Sequence, residues 1–312
     1  MLEDKTLVSQ IGLGEGLDKV NDFLENLIVE QGLPGCSAAV VFDQEIIWSK
    51  GFGFADLEKK TPSTTQTLYR VGSITKLFTA TMLMQLRDAG KLQLDDPIEK
   101  YLPAFKLKSR FANTRPPTFR EVVAHLGGIP REAPLDYWYT QKFPTIEDIM
   151  ASLDQTELIL PPMSEFKYSN LGIAVLGHAL ETIAGQPYRD YVKQNILEPL
   201  GMQASDFELN SETEKQMATG YALEPGQAPQ AVGRPSISGF IYAGQLISSV
   251  SEMAAFISLQ FRPAGAIAEQ FARNARPGLY QPGLEDRQRH RLGAGTPGRL
   301  YRHRARRQRD GL

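Results

Sequence analysis

Leu68-Tyr69-Arg70-Val71-Gly72-Ser73-Ile74-Thr75-Lys76-Leu77-Phe78-Thr79-Ala80-Thr81-Met82-Leu83-Met84-Gln85-Leu86 reads as an extended run that is stopped by a glycine and continues as an apolar helix. Phe78, Met82, Leu83 and Leu86 recur at helical spacing, so the pattern predicts a helix with Ser73 and Lys76, at i and i+3, on one face of its first turn. A nucleophile gains most at that place. Unpaired backbone N–H groups and the positive end of the helix dipole stabilise an alkoxide or the oxyanion of a tetrahedral intermediate. A serine and a lysine in a first turn also make an ordinary N-cap and a solvated lysine, and S-x-x-K arises by chance about once in a chain of this length and ordinary composition. Ser164-Glu165-Phe166-Lys167 is such a copy: it follows Pro161-Pro162 and leads into a turn, where helix geometry is not expected.

The second informative stretch is Tyr168-Ser169-Asn170, directly before a predicted helix from Leu171 to Ala184 that stops at Gly185 and carries Leu171, Ala174, Val175 and Ala179 on one face. Tyr168 then sits in a turn at a helix entrance, able to point into a cleft shared with Ser73. Asn170 also has an ordinary reading as the N-cap. Acyl transfer needs a nucleophile, a base and a proton carrier to the leaving group, and a Lys–Tyr pair supplies the last two when burial and mutual contact bring their pKa values down. Ser73, Lys76 and Tyr168 are therefore the candidate catalytic residues, with Asn170 as a substrate-binding or orienting residue, and together they describe a serine site without a catalytic histidine.

Around these motifs, Leu17 to Gln31 has the pattern of an amphipathic helix whose buried stripe is Val20, Phe23, Leu24, Leu27 and Ile28, broken at Pro34-Gly35. Cys36 to Phe42, Ile46 to Lys50 and Gly51 to Ala55 read as strands of an antiparallel meander, joined at Asp43-Gln44 and followed by a polar connector from Asp56 to Thr67. Pro97 opens a short helix that ends before Leu102-Pro103, Ile146 to Leu153 is another helix, and the region from Thr118 to Glu214 is mostly helical. Strand runs followed by long helical runs predict an α+β fold, an antiparallel sheet flanked by helices plus a mostly helical domain. The expected organisation is an N-terminal helix and strands (1–70), a mainly helical domain carrying both motifs (71–240), a return helix (241–261) and an atypical tail (262–312).

A chain of 312 residues, 42% apolar and 22% charged, can bury a full core, and a formal charge of −2 implies no polyanionic partner. One cysteine, Cys36, excludes an internal disulfide and a cysteine-clustered zinc site, and within Gly35-Cys36-Ser37-Ala38-Ala39 it reads as a small buried apolar residue. The N-terminus lacks an apolar signal segment and no stretch approaches the ~18 apolar residues of a membrane span, so a cytoplasmic location is expected by default. Scattered histidines and the lack of a phosphate-binding glycine loop imply no metal and no organic cofactor.

The chain resembles the serine β-lactamase and penicillin-binding protein superfamily, in its class C β-lactamase-related branch with D-alanyl-D-alanine carboxypeptidases and family VIII esterases. The resemblance covers residues 15 to 262. It rests on Gly32-Leu33-Pro34-Gly35, Tyr69 through Lys76, Gly90-Lys91-Leu92-Gln93-Leu94-Asp95-Asp96-Pro97, Phe166 through Gly172, Leu197-Glu198-Pro199-Leu200-Gly201-Met202 and Ala243-Gly244-Gln245-Leu246-Ile247-Ser248-Ser249. It implies a β-lactamase/transpeptidase-like fold, an acyl-enzyme at Ser73, Lys76 and Tyr168 as coupled base and proton shuttle, Asn170 as orienter of Lys76 and substrate, and the Ser73 N–H as one oxyanion donor. Where the family shows L-x-H-T-S-G-L, this chain has Val123-Ala124-His125-Leu126-Gly127-Gly128-Ile129, which keeps the histidine and glycine without the hydroxyl pair and makes His125 a structural, hydrogen-bonded residue. His178, in mid-helix, carries no catalytic signal.

The family's third box, K-T-G or H-x-G on a strand beside the nucleophile, has no convincing counterpart. From Arg262 onward the chain holds 12 Arg, no Lys and 4 acidic residues, a charge of +8 against −10 for residues 1–261, and its apolar periodicity fades. A basic tail for nucleic acid is one reading of that change. A shifted reading frame in a GC-rich gene explains it better, and the last sheet strands would then be missing. Gly293-Ala294-Gly295-Thr296-Pro297-Gly298 lacks the leading lysine or histidine and places a proline where a strand must donate. The expected function is a serine hydrolase of small-molecule esters, D-Ala peptides or β-lactams, with no nucleic-acid partner. The alternative is a catalytically silent β-lactamase-like binding or assembly protein.

Overall fold

Asp43 and Gln44 both take positive φ, 45° and 72°, the backbone that a two-residue hairpin turn requires. They join strand β1 (Gly35–Phe42) to strand β2 (Glu45–Asp56) in antiparallel register, Gly35 opposite Gly53 and Phe42 opposite Glu45. The computed structural model describes residues 13–224 and 226–261, all within one compact unit. β2 is one strand of 12 residues, not the two strands expected at 46–50 and 51–55. Gly51 and Gly53 do not break it; they admit close backbone. A Cβ on Gly51 would stand 2.1 Å from the Ser63 carbonyl oxygen, and one on Gly53 would stand 2.4 Å from that of Pro34. Gly51 makes room for Ser63, directly after β3 (Thr61–Pro62), and Gly53 for Pro34, directly before β1. β3 is a short strand within the segment expected to be a polar connector, paired with β2 at Phe54 and Asp56. Among the described residues β1 has β2 as its one partner strand.

Helix α1 (Gly14–Glu30) packs against β2, but its apolar stripe is not buried as expected. Leu24, Leu27 and Ile28 are half-buried, whereas Val20 is exposed and Phe23 is 62% exposed. Its polar side makes the specific contact: Lys50 Nζ of β2 donates to Asn21 Oδ1 (2.6 Å) and Glu25 Oε1 (2.8 Å). No described element covers Val20 and Phe23.

The site is positioned by a second layer. Strand β4 (Leu68–Arg70) pairs antiparallel with the strand Ile247–Ser249. Gly72, at φ +55°, then turns the chain through a 3-10 turn (Gly72–Ile74) into helix α2 (Thr75–Asp88), which ends before Gly90 at φ +69°. Phe78, Met82, Leu83 and Leu86 are buried as their spacing predicts. Helix α3 (Asn170–Ala184) stops at Gly185, at φ +73°, with Leu171, Ala174, Val175 and Ala179 fully buried. α2 and α3 pack on each other and both meet the short helix Ile241–Gly244. Helix α4 (Val250–Gln260) stacks Phe256 on Phe78, ring centroids 4.1 Å apart, and packs against β1. Between these, short helices such as Phe119–Val123, Ile146–Ala151 and Tyr188–Val192 alternate with long loops. The expected helix from Ile146 to Leu153 tightens to a 3-10 turn after Ala151.

The α+β class is as expected from the strand runs and helical runs. The Arg-rich segment from residue 262, the Gly293–Gly298 stretch and the expected change of reading frame lie outside the described residues. Among the described residues no helix is long and apolar enough to cross a membrane.

The contact between α3 and the 241–244 helix depends on Gly177. A Cβ there would stand 2.3 Å from the Tyr242 ring, and that ring is 2% exposed with its hydroxyl bonded to Glu181 Oε2 at 2.7 Å. Alanine gains about 1 kcal/mol in helix propensity over glycine, while overpacking a rigid core costs about 1–3 kcal/mol. Gly177→Ala is therefore expected to be less stable than the wild type, read as a lower urea midpoint; an equal or higher midpoint would show that Tyr242 can move aside.

Candidate active site

Ser73 lies in the exposed turn that leads into α2, and Lys76, one turn on, is only 9% exposed. Lys76 Nζ donates to Ser73 Oγ at 3.2 Å, to Asn170 Oδ1 at 2.9 Å and to the Ala243 carbonyl at 2.8 Å. Those three acceptors match the three donors of an ammonium group. Tyr168 Oη donates to Ser73 Oγ at 2.8 Å. All four residues singled out from the sequence thus meet at one point, from two separate parts of the chain, and Ala243 adds a third.

Local sequence explains the entrance to α3, with one correction. Ser169, not Asn170, is the N-cap: its Oγ accepts from the Gly172 N–H at 2.7 Å and donates to the Pro130 carbonyl at 2.6 Å. Asn170 becomes the first helical residue, and its amide is free to span Lys76 and Glu132, donating to Glu132 Oε1 at 2.7 Å. The Asn170 and Leu171 N–H groups donate to the Arg131 carbonyl at 2.8 and 3.2 Å, which ties the loop 125–132 to the helix start. His125 closes the underside. Its Nδ1 accepts from the Ser169 N–H at 3.2 Å, its carbonyl accepts from Lys167 N at 2.8 Å, and its ring lies 4.5 Å from that of Tyr168. The second S-x-x-K copy has no helix; Ser164 Oγ donates to the Pro161 carbonyl within a turn.

The Lys76 amine and the Tyr168 phenol are both shifted below their ordinary ranges. Burial, the dominant effect, holds the Lys76 amine below the usual lysine range, against the opposing pull of Tyr168 and Glu132. Burial raises the Tyr168 phenol, but the nearby Lys76 ammonium, its bond to Ser73 and the charge of Arg131 outweigh that and leave it below the ordinary tyrosine value. Burial and then Lys76 lower His125, which keeps its ring neutral and accepting. Cys36 is half-buried in β1 with its thiol pushed up by burial, so it is no activated nucleophile.

Sequence reasoning missed three participants. Ala243 contributes a backbone carbonyl, which no side-chain motif encodes, although it opens the segment quoted above for its resemblance. Glu132 and Arg131 come from a loop without periodicity. The Arg131 guanidinium lies 5.2 Å over the Tyr168 ring, and its Nε reaches Glu132 Oε1 at 3.3 Å.

A family model described as Beta-lactamase matches residues 20–304, past the point where the family's pattern fades in the sequence. Beta-lactamase-like protein 2 of Dictyostelium discoideum is 36% identical over 218 residues, 68% of this chain and 40% of that protein. Protein flp of Staphylococcus aureus is 28% identical over 246 residues, 78% of this chain and 49% of that protein. The chain thus spans about half the length, or less, of these curated relatives. Among solved structures, an octameric penicillin-binding protein homologue from Pyrococcus abyssi superposes with a TM-score of 0.70 at 31% identity, covering 82% of this chain and 59% of that one.

The cap at Ser169 is the local anchor of Tyr168 and Asn170. Ser169→Ala removes the bond to Gly172 and leaves the Pro130 carbonyl without its donor, for an expected loss of about 1–2 kcal/mol in unfolding free energy. Urea denaturation would measure it, and an unchanged midpoint would mean that the α3 entrance is held without the cap.

Proposed function

Because the chain belongs to the beta-lactamase family, we propose that it is a serine hydrolase that forms an acyl-enzyme at Ser73 and passes the acyl group to water. One observation carries this reading: the Ser73 hydroxyl lies between two proton-handling groups, 2.8 Å from Tyr168 Oη and 3.2 Å from Lys76 Nζ. A lysine that has lost its proton keeps two N–H donors and a lone pair. Asn170 Oδ1 and the Ala243 carbonyl hold the two donors at 2.9 and 2.8 Å, which leaves the lone pair for the Ser73 proton. As Ser73 Oγ attacks the acyl carbon, its proton passes to Lys76. Tyr168 gives its own proton to the departing group and regains one from Lys76. In the second step water attacks the acyl-enzyme, its proton enters the same pair, and Ser73 leaves reprotonated.

The Ser73 N–H, in the turn before α2, is the proposed oxyanion donor. Substrates are acyl donors with a good leaving group: esters, D-Ala peptides or β-lactams. A second reading, a catalytically silent relative that binds or assembles, is favoured by one observation: among the described residues there is no K-T-G, and the H-x-G at His125-Leu126-Gly127 lies in a loop and not on a strand. Losing one oxyanion donor typically costs about 10²–10³ in rate.

The full chain and Ser73→Ala are to be assayed with p-nitrophenyl butyrate and a chromogenic cephalosporin, beside labelling by a fluorophosphonate probe. The expected result is turnover and labelling that vanish in the variant. Labelling without turnover would favour the silent relative, and a folded protein without labelling would overturn the acyl-enzyme reading. Tyr168→Phe keeps the ring and removes the bond to Ser73, with an expected slowing of about 10²–10⁴. Because only the neutral amine accepts the proton, labelling should rise with pH through a Lys76 pKa below the ordinary ~10.4. A rate independent of pH from 6 to 10 would exclude Lys76 as the base.

A further inference from the structure

We infer that Glu132 is a positioning residue: its carboxylate, held between the Asn170 amide and the Tyr137 hydroxyl, decides which end of that amide faces Lys76. The inference rests on acylation at Ser73 as proposed above.

An asparagine amide is two-faced, with an acceptor at one end and donors at the other, and the two ends are nearly the same size. With Oδ1 toward Lys76, as found, Asn170 takes one N–H of the lysine and leaves the lone pair for Ser73. Rotated by half a turn, it would present its NH₂ to Lys76, capture the lone pair and disable the base. Nothing in Lys76 alone prevents this, because a neutral amine both donates and accepts.

The far side of the amide makes the choice. An ionised carboxylate only accepts, so Glu132 Oε1, 2.7 Å from Asn170 Nδ2, tolerates the NH₂ end and repels the carbonyl end. The carboxylate is itself immobilised. Tyr137 Oη donates to Oε2 at 2.7 Å, and Arg131 Nε approaches Oε1 at 3.3 Å. Tyr137 is 1% exposed, and burial, reinforced by Glu132, pushes its phenol far up, so it stays a donor throughout the working range. The result is a directed chain from Tyr137 through Glu132 and Asn170 to Lys76 and Ser73.

Glu132 is also a charge. The charged and titratable groups that face Lys76 are Tyr168 and His125, which flank the α3 entrance, and Arg131 and Glu132 of the loop; the 241–244 helix contributes only the Ala243 carbonyl. Of the two loop charges, Glu132 favours the ammonium form and Arg131 opposes it. Removing the carboxylate should therefore ease deprotonation of Lys76.

Two variants separate orientation from charge. Glu132→Ala frees the amide to rotate, and fluorophosphonate labelling of Ser73 should slow by about 10²-fold. Glu132→Gln can accept the Asn170 NH₂ through its carbonyl only when its own NH₂ turns to the Tyr137 hydroxyl, so the maximal rate should return in part. Having lost the charge, it should show the acid limb of its rate–pH profile displaced to lower pH. A merely structural role would reduce the folded fraction, seen by circular dichroism, without moving that limb. Wild-type labelling with an unslowed Glu132→Ala, or with an unmoved limb in Glu132→Gln, would overturn the role of Glu132 alone. No labelling of the wild type would overturn the acyl-enzyme reading and this inference with it. If Glu132→Ala fails to fold, the limb in Glu132→Gln decides.

Discussion

A lysine nitrogen can be buried only where acceptors surround it, and the place of Lys76 Nζ depends on that constraint. Its three partners, Ser73 Oγ, Asn170 Oδ1 and the Ala243 carbonyl, belong to the turn before α2, the start of α3 and the short helix before the strand Ile247–Ser249. Each must stand within about 3 Å of one point, so the spacing of those elements has little slack. The surrounding packing removes what remains. Thr75 Oγ1 donates to the Gly72 carbonyl at 2.6 Å and accepts from Leu246 N at 3.2 Å. Thr79 Oγ1 donates to the Tyr242 carbonyl at 2.6 Å and shares a hydrogen bond of 2.8 Å with the Tyr188 hydroxyl. These two threonines, one turn apart on the buried side of α2, pin the helix to the segment that carries Ala243.

The opposite wall is held by backbone in uncommon conformations. His125 takes φ +60° and Gly128 φ +70°. At Gly128 a Cβ would stand 2.0 Å from the Leu160 carbonyl oxygen, so that approach of two loops is open to glycine alone. A non-glycine residue in the left-handed region costs of order 1–3 kcal/mol. His125 offsets this through its bonds to Ser169 and Lys167 and its contact with the Tyr168 ring. Strain of that kind beside Tyr168 fits the proposed acylation at Ser73, whose geometry would be set before substrate arrives.

Where the sequence was legible, one local rule was enough. The period of Phe78, Met82 and Leu86, and the run of Leu171, Ala174, Val175 and Ala179 closed by Gly185, mark α2 and α3 because apolar spacing and a left-handed stop act within a few residues. Where it misled, two rules competed. Lys50 and Gly51 read as the boundary between two strands, whereas Gly51 and Gly53 lie within one strand and leave gaps for neighbouring backbone. Ser169 and Asn170 are both good caps, and only the position of the Pro130 carbonyl shows which one caps and which one is free to reach Lys76. The stripe of α1 has the right period, but burial is a property of what lies opposite, and the described residues place nothing against Phe23.

The sequence by itself determined the pairing of Ser73 with Lys76, since three residues along a helical turn bring two side chains to one face wherever that turn is placed. It also determined that Tyr168 stands at a helix entrance. Only the tertiary structure decided that these two sites are one, that a carbonyl at Ala243 completes the lysine's shell, and that Glu132 stands behind Asn170. Those contacts join residues 38 to 167 positions apart. Such separations carry no periodicity; they are settled by which helices can pack at glycine and threonine contacts while every buried polar group finds a partner.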